Sequence, residues 1–268
     1  MTRRSWRIAN ITGAVLIIAS YTHEIISRFP QYEWLHSHWP FYVAESLDKI
    51  GGAAVCLLEV WLMYHAGLRG ISRELGLSAP VLPAIAFALV ASCPMLIGFA
   101  ITRSLTPHID IPPLLFLTVL SPLVEEIEFR GFGVRQLQHG TGWPFWVAVW
   151  PSALLFGRGH VEQGQSLREM AGLFFLTGAG GVIFAWLVYR WKNLWVAVAL
   201  HICMNRWREL FSISRTAIGS WFPFTVQNLT MLLANLYHPI SGTMKSDRRD
   251  INHMKNGYAN CFPSHVGH

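Results

Sequence analysis

The sequence predicts an all-α fold, a polytopic transmembrane helical bundle of about eight helices, and three observations predict it. The chain is 52% hydrophobic and only 13% charged, with a mean hydropathy of +0.35, whereas a soluble domain carries roughly 25% charged residues. Apolar runs long enough to cross a bilayer, about 20 residues each, recur along most of its length. Tryptophans, 12 in all, gather toward the ends of several runs, where an amphipathic ring anchors at the membrane interface.

Taken in order, the spans are expected at 7–22, 48–67, 80–102, 112–137, 143–160, 169–190, 194–210 and 220–237. The first follows the basic start MTRRSWR, which invites comparison with a secretory signal peptide. It has no A-x-A-like cleavage site, so an uncleaved first span is expected. The fourth is unusual because its apolar part ends near Val124 and a charged motif carries the helix onward. The seventh is short. These spans divide the chain into N-terminal transmembrane helices at 1–111, a core at 112–210, a last transmembrane helix at 211–238 and a polar cytoplasmic tail at 239–268.

Loop charge sets the expected orientation. Arg3, Arg4 and Arg7 place the N-terminus in the cytoplasm, and Arg69, Arg73, Arg190 and Lys192 fall on the same side, whereas Arg206, Arg208 and Arg215 fall opposite. The expected location is a bacterial inner (plasma) membrane, with the bilayer as the first partner. The net charge of +6 is spread over helix ends and not gathered in one stripe, so no nucleic-acid partner is expected. Cys56, Cys93, Cys203 and Cys261 show no paired spacing, which excludes a disulfide framework and a zinc ribbon.

Polar groups punctuate three apolar helices of the core. The fourth span carries SPLVEEIEFRGF, with Glu125, Glu126, Glu128 and Arg130; the fifth ends in FGRGH, with Phe156 and His160; the seventh holds HICMN, with His201 and Asn205. A charge at the bilayer centre costs a few kcal/mol and usually faces a cavity or a partner. Residues four apart share a helix face, so Glu126 pairs with Arg130, and His201 projects with Asn205. Glu125 is turned by about 100° from Glu126, which leaves it free to act as a base. Helices four and five form a hairpin at HGTGW, and Glu125 and His160 lie about 15 and 17 residues from that turn, at a similar depth of about 22–26 Å. A carboxylate beside an imidazole suits water activation, and a second histidine with an asparagine suits an oxyanion. The chemistry that these parts fit is amide hydrolysis in the membrane. Two histidines and a carboxylate also form the donor set of a zinc site with an open position.

The motifs E-E-x-x-x-R, F-x-x-x-H and H-x-x-x-N, in that order on successive apolar segments, resemble the CAAX protease and bacteriocin-processing (CPBP, or Abi) family of intramembrane proteases, which includes the type II CAAX prenyl endopeptidase. The resemblance covers about 112–210, which it marks as the catalytic core, and ELGL at 74–77 resembles the family's lead-in. It implies Glu125 as general base, His160 as its aid in activating water, and Glu126 and Arg130 as supports. It further implies His201 and Asn205 as the oxyanion site, and as substrate a membrane-associated peptide or protein, lipidated or CAAX-like substrates included. No cofactor is favoured; zinc on Glu125, His160 and His201 is the alternative. Arg158 and Gly159 depart from the small or apolar residues usual between the Phe and the His, and a buried Arg158 would need Glu128 or Glu162 as partner.

Blander readings stand beside these. Glu126 with Arg130 is also an ordinary ion pair, a lone histidine such as His160 or His201 is often a bonded core residue, and Asn205 alone is often glue between helices. Phe156 reads as packing, and Glu59 in the second span, followed by His65, as a structural pairing. The remaining histidines read as surface residues and not ligands. Two other classes of function compete with the enzyme: a non-catalytic immunity or partner-binding protein of the same fold, and a proton- or ion-coupled transporter. The intact motifs disfavour the first; the second expects an internal repeat or broken helices in both halves, and neither is visible.

Overall fold

The computed structural model describes residues 2–64, 67–103, 105–106, 108–213 and 221–236. The predicted polar tail at 239–268, with Cys261, and also His65 and Arg215, lie outside the described residues. Those described form helices and turns, with no strand among them.

Eight helices stand where the sequence predicts spans: α1 (Arg3–Ser20), α4 (Phe41–Tyr64), α6 (Val81–Thr102), α7 (111–141), α8 (Phe145–Arg158), α9 (Leu167–Trp191), α10 (Leu194–Leu210) and α11 (Trp221–Leu236). Three short helices were not predicted: α2 (Thr22–Ile26), α3 (Pro30–His38) and α5 (Leu68–Glu74). By length and composition alone, α6 and α9 can cross a membrane; α4 with α5, bent 106° apart, would make a third span. The count of eight is therefore a count of helix positions. Helix α8 has 14 residues, about 21 Å of rise, and the buried charges of α7 depress its hydropathy. Outward faces are nonetheless apolar: Leu58, Leu62, Leu82, Val90, Ile97, Trp146, Trp150 and Phe175 are all exposed. A belt of this kind suits lipid and not water.

Helix α7 is central. On one side lies a core of α6, α9, α10 and α11 built on Phe87, Met95, Phe99, Phe184, Leu187 and Leu200. On the other, Leu16, Cys56, Val60, Leu75, Phe129, Phe132 and Phe156 join α1, α4, α7 and α8. From Phe129 to Val134 every residue of α7 is buried, as expected of a helix enclosed on all sides. Glu59 accepts a hydrogen bond from Thr12 Oγ1 at 3.2 Å, tying α4 to α1.

The ELGL segment acquires a physical reason. Gly76 sits at φ 80°, and its carbonyl accepts from Leu194 N at 3.2 Å. Trp195 Nε1 donates to Leu77 O at 2.9 Å, and Arg135 Nε donates to Glu74 O at 2.9 Å. The turn thus docks the start of α10 and the end of α7. Because a side chain in the left-handed region costs about 1–2 kcal/mol, Gly76→Ala is expected to lower stability by about that amount, read as an earlier thermal melt in detergent.

Candidate active site

Helix α7 contains two widened, π-type stretches, Phe116–Leu120 and Glu126–Val134, a feature that recurs at functional sites. The first has an identifiable cause. Ser121 N–H bonds Phe116 O, five residues back; the corresponding partner for Leu117 O would be Pro122, which has no N–H. Asn205 Nδ2 fills that role, donating to Leu117 O at 3.0 Å. One of its two amide hydrogens is thereby committed, and the second remains.

Glu126 and Arg130 form the expected pair at 3.2 Å, with side chains 0% and 1% exposed. The guanidinium also lies over the Phe156 ring, 4.2 Å from its centroid, and faces Phe184 at 5.5 Å. His201 joins this unit through Nδ1, 2.9 Å from Glu126 Oε1. Its other nitrogen, Nε2, is left without this tie. The sequence placed Glu126 with Arg130 alone and assigned His201 to the oxyanion; the carboxylate contacts both side chains.

Glu125 is not free, contrary to the expectation from the 100° turn. Its Oε1 accepts from Lys49 Nζ at 2.9 Å and from Ser121 Oγ at 2.7 Å. Lys49, on α4, is 76 positions away and was missed by the sequence reading; its only signal is a lysine one residue into the apolar run of an expected span. Ser121 is four residues before Glu125 on α7, a spacing that does betray it. Oxygen Oε2 of Glu125 remains for another partner.

His160 lies in the turn after α8, where Gly157 allows that helix to approach the Phe174 carbonyl of α9: a Cβ there would stand 2.7 Å from that oxygen. The ring's Nδ1 is 2.8 Å from Phe156 O. A carbonyl only accepts, so Nδ1 carries the hydrogen, and in the neutral ring Nε2 is then a lone-pair acceptor. Phe156 itself packs against His160 with centroids 4.6 Å apart.

Two cavities meet at these residues. One, of about 400 Å³, is lined by Glu125, His160, His201 and Asn205 among apolar walls that include Leu117, Ile183, Phe184 and Met231. The other, of about 410 Å³, is the more polar of the two and is lined by His23, Glu45, Asp48, Lys49, Glu128 and Arg158. Ser121, Glu125, Phe156, His160 and Gln163 border both. The four sequence-predicted residues therefore share one space, and the depth argument from the α7–α8 turn agrees with it. Arg158 is not buried: it is 43% exposed and faces Glu162 at 3.6 Å, so Glu128 is not its ion-pair partner.

Residues 107–207 match the family model described as type II CAAX prenyl endopeptidase Rce1-like. This segment is similar to the Rce1-like family. Among curated proteins and solved structures none matches the chain. The Rce1-like family is a protease family, and with the apolar helices it marks an integral membrane protein. Helices α7, α8, α9 and most of α10 fall inside the Rce1-like segment, while Lys49 comes from outside it. Zinc on Glu125, His160 and His201 is the alternative to water activated without a metal. Glu125, His160 and His201 do not bring three ligand atoms within 4.8 Å of one another, and the Lys49 ammonium occupies Glu125 Oε1. As arranged, these residues do not fit a zinc ion.

Proposed function

We propose that this protein is an intramembrane endopeptidase that hydrolyses a peptide bond of a membrane-associated substrate, with water activated between Glu125 and His160. The observation that carries this reading is the position of these two side chains on the border shared by two cavities, one with more apolar wall and the other more polar. Water from the polar side meets a substrate segment held among Leu117, Ile183 and Phe184. Glu125, through Oε2, accepts the proton of that water, and His160 Nε2 accepts a second hydrogen bond that aligns it. The hydroxide adds to the carbonyl carbon, and the oxygen becomes an oxyanion. The free amide hydrogen of Asn205 donates to it; His201 donates through Nε2 when its ring is an imidazolium, with Nδ1 toward Glu126. Collapse breaks the C–N bond, and the proton held by Glu125 passes to the leaving amine.

Lys49 and Ser121 fix Glu125, so Lys49→Met is expected to lower turnover by roughly tenfold or more while Lys49→Arg retains most of it, because a cation at Oε1 is kept. The test of the function is a panel of membrane-tethered peptides, with and without a lipid anchor, offered to the purified protein in bilayers. Cleavage near the membrane face, dependent on tethering, supports the reading. A folded wild-type protein that binds these peptides without cleaving any of them would transfer the argument to a partner-binding protein.

A further inference from the structure

Apart from the proposed hydrolytic residues, the first third of the chain assembles a second cluster. His23 of α2 and Glu45 and Asp48 of α4 bring three ligand atoms within 4.8 Å of one another. His36 of α3 stands outside that trio but approaches one of its members: its Nε2 lies 3.5 Å from Asp48 Oδ2, and His23 Nδ1 lies 3.2 Å from the same oxygen. Zinc bonds of 2.0–2.2 Å place the donors of a tetrahedral site about 3.4 Å apart. Both spacings match that edge. Asp48 is 5% exposed, and His36 Nε2 is buried with no hydrogen-bond partner, an arrangement that costs free energy unless something satisfies the nitrogen. Tyr32, one turn before His36 on α3, holds both imidazoles, with ring centroids 5.5 Å from His23 and 4.1 Å from His36.

We infer that His23, His36, Glu45 and Asp48 form a site for a zinc-class divalent cation, which fastens α2 and α3 onto α4 beside the polar cavity. Two imidazoles and two carboxylates are the donor set that zinc shares with Co²⁺, and three helices contribute, so binding couples to their packing. This reading changes the sequence-based expectation for His23 and His36, which took them for surface residues. It does not depend on the hydrolytic role of Glu125, His160 or His201.

The test uses the full chain, free of any histidine tag and purified in detergent, titrated with Zn²⁺ against a chromophoric chelator and with Co²⁺ by visible absorption. One Zn²⁺ per chain is expected at neutral pH, with a tetrahedral Co²⁺ spectrum and a raised melting temperature. His23→Ala removes an exposed side chain and is expected to keep the zinc-free melting temperature while weakening binding by at least about tenfold; His36→Ala is expected to weaken binding likewise. His160→Ala and His201→Ala are expected to bind as the wild type does. Equal zinc binding by wild type and His23→Ala overturns the site, as does loss of binding in His160→Ala.

Discussion

Glu125→Gln is expected to lower kcat/KM for a membrane-tethered peptide by about 10²–10⁴-fold, the usual worth of a positioned proton acceptor, while the protein remains folded. The substitution keeps the size of the side chain and an oxygen that accepts from Ser121 and Lys49. What it removes is the capacity to take a proton from water. Lys49, 37% exposed, keeps access to the solvent of the polar cavity, so its lost counter-charge costs little stability. Equal melting temperatures with unequal turnover would separate chemistry from folding; equal turnover would remove Glu125 from the mechanism.

The second large effect is on stability. Arg130→Met leaves the Glu126 carboxylate, 0% exposed, without its guanidinium, and breaking one side of a buried pair costs roughly 3–5 kcal/mol. A sharply earlier melt is expected, with activity falling in parallel. Adding Glu126→Gln should recover much of that loss, because the buried carboxylate charge is then gone and the amide oxygen still accepts from His201. A single variant that melts with the wild type would show that the pair is not holding α7.

Helix positions were legible in the sequence because apolar runs and their breaks are local properties, and Glu126 with Arg130 was legible because four residues close one helical turn. The convergence of Glu125 with His160 followed from counting rise on either side of one turn. Lys49 was not legible, since nothing local ties a lysine of α4 to a glutamate of α7. The bond from Asn205 to Leu117 O depends on a widened turn ahead of Pro122; a proline in the pattern marks that a backbone acceptor is released, but not which side chain takes it. Helices α2 and α3 escaped because they are short and lack apolar periodicity, and the histidine–carboxylate cluster they carry escaped with them.

In the proposed reaction His160 and Glu125 activate water on a peptide held in the shared cavity. This role is tested most directly by measuring cleavage of one tethered peptide by wild type and His160→Ala in the same bilayers, with both proteins shown to be folded. The wild type is expected to cleave, and His160→Ala to be slower by about 10²–10⁴-fold. Cleavage at the wild-type rate by His160→Ala would contradict that role.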